Sequence, residues 1–394
     1  MIVTRMSAPQ AERQLILLSA GTAGRRRAIA PQAERLAAVV DWRHLLETLR
    51  HRRLLTILGP RILELAGERA DENFVEELDL AIASGRRQGA LLQLVALRVM
   101  NALTEAGICS SPLKGPMLGE TIYGDAGRRP SSDIDLLVAP DDLHSAVEVV
   151  RGLGYGAPTD HLEDRGLPAL HFALVHERRE LPPIELHWRI HWYERDFACE
   201  RLLPPPGSIS QDWRPTLADE LASLLLFYAR DGFVDLRLAT DLSAWWDAFG
   251  SHLQRGDLGE LIGAYPALAC VVAVTLNVAE RVVGIPASEV LDRPLRLGVR
   301  GHLAARLANP NPRVSPPQLY ADMGVIDALL MPPGHFRAFV RRQLLPPREI
   351  LEERAQQAQQ RRASSALGHC TRVLGRYALT MTRLVRAPET VRVP

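Results

Sequence analysis

The chain of 394 residues has a single lysine: Lys plus Arg total 47, and every member of that total except Lys114 is arginine. Cysteine is also scarce. Cys109, Cys199, Cys270 and Cys370 are far apart, with no Cys-x-x-Cys pair. That excludes a cysteine-rich zinc module or a disulfide framework, and predicts free thiols in a reducing compartment, the cytoplasm. Long hydrophobic runs are missing too. The longest apolar stretch, Leu261 to Ala279, carries Pro266 and Asn277 and reads as a buried helix, so no membrane span is expected. Leu15–Leu18 is too short for a signal segment. A formal net charge of +1 argues against a surface built throughout for nucleic acid or anionic membrane.

What is present divides the chain into four regions. Residues 1–107 are helical by the spacing of Leu15-Ile16-Leu17-Leu18, Leu36-Val39-Val40 and Leu45-Leu46-Leu49, and again of Leu91 to Leu103. Gly59-Pro60 and Ala70 to Asn73 read as turns, and Gly107 as the end of the last helix. Over 108–203 the period changes to that of short strands. Ile108–Leu113, Asp133–Val138, His171–His176 and Ile184–Trp192 are strands, with helices Met117–Tyr123 and the segment starting at Leu143 between them. Pro204-Pro205-Pro206-Gly207 reads as a linker. Residues 208–340 are helical once more: Leu217–Ala229, Leu236–Phe249 and Leu258–Val283, with Arg237 and Asp241 as an i,i+4 pair. Asn309-Pro310-Asn311-Pro312 and Pro316-Pro317 mark a further loop. The tail, 341–394, holds 11 arginines against 4 glutamates, a local excess of +7. It is either a solvated helical face or a surface for a partner.

The last strand has the clearest period of two in the protein. Ile184, Leu186, Trp188, Ile190 and Trp192 share one face; Glu185, His187, Arg189 and His191 share the other. The apolar face belongs on a core and the ionisable one in a wet cleft. Asp133 and Asp135 are likewise two apart on a strand, so both carboxylates project to one side. Two such oxygen donors with a third carboxylate hold divalent cations whose shells are completed by substrate phosphates. A pair of ions about 4 Å apart clamps the attacking and leaving oxygens of a phosphoryl displacement. Glu185 is the natural third ligand, provided that Arg189 does not pair with it. His187 and His191 beside Glu185 leave a zinc site open, although acceptor-facing histidines fit the pattern better. Trp245-Trp246 reads as core. Lysine, a compact ammonium on a flexible stem, can follow a moving phosphate as arginine cannot.

Leu113-Lys114-Gly115, Tyr123 to Arg129, Ser132-Asp133-Ile134-Asp135-Leu136-Leu137-Val138, Gly154-Tyr155 and Glu185-Leu186-His187-Trp188 together resemble the bacterial family called uncharacterised nucleotidyltransferases. That family is similar to the polymerase-beta-like nucleotidyltransferase superfamily. Asp41-Trp42 and Asp241-Leu242 extend the resemblance over most of the chain. It implies an α+β fold, a small mixed β-sheet nucleotidyltransferase core embedded between mainly α-helical N- and C-terminal regions. It also implies two Mg²⁺ ions (Mn²⁺ as a substitute) on Asp133, Asp135 and Glu185, with an NTP as co-substrate. Gly115 would let the backbone approach the triphosphate at a helix start. Lys114 and Arg129 would neutralise phosphate charge, Ser131 and Ser132 would add donors, and His187 and Arg189 would face substrate. The chain departs from the superfamily at Gly115-Pro116, where Gly-Gly or Gly-Ser is usual, and in its longer gap to Asp133.

Three functions stay open at this point. A nucleotidyltransferase would move an NMP from an NTP, ATP included, to an unidentified acceptor and release pyrophosphate. A catalytically decayed nucleotide-binding or interaction protein would bind without turnover, and a phosphotransferase on the same metal site would yield ADP. For the acceptor, a small molecule, glycan, peptide or protein fits the near-neutral charge better than a long nucleic acid.

Overall fold

The computed structural model describes residues 7–157, 163–164, 167–179, 181–194, 196–205, 213–293, 296–310, 314–332, 334–345 and 366–386. The helical opening is observed as α1 (Ala8–Ser19), α2 (Ala23–Ala37), α3 (Trp42–His51), α4 (Leu55–Ala66) and the 34-residue α5 (Glu72–Glu105). Side-chain caps start three of them: Thr22, Asp41 and Asp71 accept the backbone N–H of Arg25, His44 and Phe74. Each such cap is worth about 1 kcal/mol. The turn expected at Gly59-Pro60 is absent, and α4 runs through it. Leu55, Ile57, Leu58 and Ile62 are all buried on this helix, and their burial outweighs the hydrogen bond that Pro60 removes. A side chain at Gly59 would collide with Leu78, so the pair reports close helix packing rather than a turn.

After α5 come β1 (Ser110–Pro112), α6 (Pro116–Tyr123), a 3-10 turn at Ala126–Arg128, β2 (Ile134–Val138) and α7 (Leu143–Gly152). A two-stranded ribbon, β3 (Glu163–Asp164) with β4 (Leu167–Pro168), precedes β5 (His171–Leu174) and β6 (Ile184–His187). The main sheet has the order β1-β2-β6-β5, with β2 and β6 parallel and the outer pairs antiparallel. Ile134, Leu136, Val138, Ile184 and Leu186 form its apolar face, covered by the second half of α5 (Leu92 to Leu103) and by α7. The opposite face carries Asp135, Glu185 and His187. The last strand is shorter than its sequence period: its ladders stop at His187, which faces Leu137 of β2 and His171, the first residue of β5. Ile190 and Trp192 are nonetheless buried, because tertiary packing takes over from the ladder.

Beyond the sheet lie α8 (Phe197–Leu202), α9 (Leu217–Arg230), α10 (Leu236–Phe249), α11 (Asp257–Ala264), α12 (Ala269–Val283) and α13 (Ala287–Val290). They are followed by α14 (Val299–Leu307), α15 (Pro316–Leu330), α16 (Phe336–Leu344) and α17 (Ala366–Arg386). The single helix expected over Leu258–Val283 is two, broken at Tyr265-Pro266. Pro266–Val283 is apolar enough to cross a membrane by length and composition, but Val271, Val272, Val274 and Val278 are fully buried against α9, α10 and α14. Residues of α1–α4 and of α9–α15 share one continuous hydrophobic core, so the helices before and after the sheet pack as one body. Part of the arginine-rich tail docks on that body: Gln318 donates to Thr380 (2.8 Å) and Arg383 pairs with Asp322. Its residues 346–365 and 387–394 lie outside the described residues, as do Pro206-Gly207 of the expected linker and Asn311-Pro312 of the expected loop.

Candidate functional site

The polar face of the sheet is assembled by register. Parallel pairing sets Asp135 beside Glu185 and Leu137 beside His187, and antiparallel pairing sets His171 beside His187. Asp135 is 1% exposed. Its Oδ1 accepts from His187 Nε2 at 2.9 Å and from Lys114 Nζ at 3.1 Å. Burial resists ionisation of Asp135. The Lys114 charge and the His187 hydrogen bond outweigh that resistance and hold its carboxyl far below the usual carboxylate range. Glu185 Oε2 lies 3.3 Å from His187 Nε2 and 3.6 Å from His171 Nε2. Burial raises its pKa and the His187 hydrogen bond lowers it, with a net shift downward. Burial and the neighbouring His187 depress His171 to about 4, so its imidazole is neutral near pH 7.

Asp133 immediately precedes β2. Its Oδ1 and its carbonyl both accept from the Ser131 hydroxyl, at 3.0 and 3.1 Å. Ser131 in turn borders the turn at Gly115: a Cβ on Gly115 would lie 3.8 Å from Ser131 Oγ. The long gap from Gly115 to Asp133 is therefore closed in space, with α6 and the 3-10 turn looping out between them. Gly115 has φ +91° and ψ −152°, which glycine alone adopts comfortably, and it caps α6. Pro116 takes the first helical position, where no N–H is needed. Ser132 is exposed.

Other expected residues are placed elsewhere. Arg129 Nε donates to Asp241 Oδ2 at 2.9 Å, and Tyr123 OH donates to Asp241 Oδ1 at 2.9 Å. Asp241 is fully buried, so this clamp ties the segment before β2 to α10. The i,i+4 pairing of Arg237 with Asp241 is not observed; Arg237 pairs with Asp235 at 2.8 Å, leaving Asp241 to Arg129. Arg189 does not pair with Glu185 among the described residues; it lies past the strand end, within electrostatic reach of Glu194. His191 is also past the end of β6. It accepts from the Tyr193 N–H and packs against Trp192 and Tyr193 in the core, so it is not on a face with Glu185. The histidine that joins Glu185 and His187 is His171, and the three ligand atoms lie within 4.8 Å of one another. Only strand pairing reveals it, because His171 carries no motif of its own.

Two further residues come from α9. Lys114 Nζ and the Arg230 guanidinium each sit 5.3 Å from the Phe227 ring centroid. Lys114 also lines a cavity of about 540 Å³ between α5, α6 and α9, with walls that include Leu97, Met100, Leu118, Leu224 and Trp245. Glu120, Glu220 and Arg214 add charge to its lining. The Trp245 indole is buried and donates to Glu220 at 3.0 Å, as a core residue with a polar partner.

A cation fits the residues present on one structural ground. Asp135 Oδ2 is buried and has no hydrogen-bond partner among the described residues, although its carboxylate is held ionised. An unpaired buried carboxylate oxygen is costly, and a divalent ion bound at Asp135 would satisfy it. A family model described as an uncharacterised nucleotidyltransferase matches residues 38–282, the segment from just before α3 to the last turn of α12. No curated protein and no solved structure matches the chain.

Proposed function

The chain belongs to the family of uncharacterised nucleotidyltransferases, and from that premise we propose that it moves a nucleoside monophosphate from an NTP to an acceptor nucleophile and releases pyrophosphate. The observation that carries this function is the parallel register of Asp135 with Glu185, together with a buried Asp135 oxygen that has no hydrogen-bond partner among the described residues. Asp133, Asp135 and Glu185 are the residues that would hold two Mg²⁺ ions, and bound ions would supply charge neutralisation at the reacting phosphate. Gly115 and the free N–H groups of Met117 and Leu118 at the start of α6 would receive triphosphate oxygens. Lys114 compensates the Asp135 charge. Its flexible stem lets the ammonium turn to a phosphate once Asp135 has another partner. Arg129 acts by positioning: its bond to Asp241 anchors the loop that presents Ser131 and Asp133. The cavity beside Lys114 receives the organic portion of one substrate against its apolar walls. Catalysis of this kind is mostly orientation and electrostatics.

The test is transfer of label from α-labelled NTPs with Mg²⁺ to candidate acceptors, scored together with pyrophosphate. D135N should abolish both signals while its circular dichroism matches the parent protein. Undiminished transfer by D135N would end the proposal, and ADP in place of pyrophosphate would reassign the chemistry to phosphotransfer.

A further inference from the structure

The two cation positions implied by the acidic residues do not have the same donors. Asp133 sits among oxygens: its own carboxylate, its carbonyl and the Ser131 hydroxyl. Glu185 sits between two imidazoles, with Nε2 of His187 at 3.3 Å and Nε2 of His171 at 3.6 Å from its Oε2. Asp135 Oδ1, 2.9 Å from His187 Nε2, joins the two groups.

The geometry points to a mixed nitrogen and oxygen site on His171, Glu185 and His187, selective for a divalent transition metal over Mg²⁺. Donors that share one metal at 2.0–2.2 Å stand about 3–3.5 Å apart, and two of the spacings around Glu185 Oε2 already lie in or beside that range. Imidazole is a ligand for Mn²⁺, Fe²⁺, Co²⁺ or Zn²⁺, whereas Mg²⁺ takes oxygen donors and water. Nδ1 of His171 and Nδ1 of His187 are buried with no hydrogen-bond partner among the described residues, so no second contact holds either ring in the tautomer that would keep Nε2 from a metal. Independent of the histidines, the unpartnered buried Oδ2 of Asp135 lies on the adjacent strand in register with Glu185. This assignment rests on the proposed transferase only for the division of labour and replaces one of its two Mg²⁺ ions: a transition metal by Glu185, and Mg²⁺ with the triphosphate by Asp133.

Chelator-stripped, full-length protein is titrated calorimetrically with Mn²⁺ alone and with Mg²⁺ alone, without nucleotide, and the Mn²⁺ form is examined by pulsed electron paramagnetic resonance. The expected result is ¹⁴N coupling to bound Mn²⁺ and an affinity at least about tenfold above that for Mg²⁺. In H171Q, at a partly exposed strand position, Mn²⁺ affinity should drop by about tenfold or more with Mg²⁺ binding unchanged. Bound Mn²⁺ without nitrogen coupling, or equal affinities for the two ions, overturns the site, and the wild-type spectrum decides this even if H171Q fails to fold. The two proposals fail separately. Pyrophosphate release with oxygen-only Mn²⁺ refutes the histidine site alone; nitrogen-coupled Mn²⁺ with no pyrophosphate from any NTP refutes the transferase alone.

Discussion

Replacing Asp241 by asparagine removes the charge that balances Arg129 at the junction of the sheet and the C-terminal helices. In the intact protein the Arg129 side chain is 9% exposed and the Asp241 side chain 0%, with Nε to Oδ2 at 2.9 Å. Tyr123 OH occupies the other Asp241 oxygen, and burial followed by the Asp241 charge keeps the Tyr123 hydroxyl protonated far above its ordinary range. D241N therefore strands a buried guanidinium. Breaking one side of a buried pair costs about 3–5 kcal/mol, mostly as the penalty of the uncompensated charge. Removing both charges, as in R129M/D241N, should cost less than the sum of the single changes R129M and D241N, with a coupling of about 1–3 kcal/mol. Urea unfolding followed by circular dichroism measures all three variants and closes the cycle. If D241N unfolds like the parent protein, the clamp is not structural. Were R129M to leave stability intact and raise KM for the NTP instead, Arg129 would be a phosphate ligand and its positioning role would be wrong.

Two further outcomes follow from local geometry and from burial. At Gly115 there is room for a methyl group but the backbone has φ +91°, so G115A should cost about 1–3 kcal/mol through strain alone; thermal melting checks this, and an unchanged Tm would mean that the turn relaxes freely. Glu194 accepts the N–H groups of Ile190 and Ala198, and burial pushes its carboxyl up from 4.5 to about 7. The folded state then keeps a proton that the unfolded state releases, so the Glu194 contribution to stability is full below pH 4.5 and is lost as pH rises through 7. The amplitude is about 3 kcal/mol. E194Q should flatten the profile of Tm against pH across that window, and an unaltered slope would show that Glu194 ionises freely.

Several elements were legible because a short-range pattern carries them. The period of two placed Asp135 and Glu185 on polar strand faces, and Gly115 followed by Pro116 marked the start of α6. Apolar spacing located the helices on either side of the sheet. Ends were less legible. The apolar alternation runs to Trp192, but a strand lasts only as long as its pairing, and the ladders to both neighbours stop at His187. Likewise, Gly59-Pro60 reads as a turn locally, while the burial of α4 on α5 overrides it.

Sequence alone thus determined the chemistry available: paired carboxylates, one lysine and a glycine turn, because residue type and strand period are properties of the chain itself. Tertiary structure decided who meets whom. Asp241 claims Arg129 from a helix more than a hundred residues away, His171 rather than His191 joins Glu185, and Lys114 rests on Asp135. Such pairings depend on strand order and helix docking, which no local spacing encodes, since partners distant in the chain are chosen by the burial and charge balance of the whole fold.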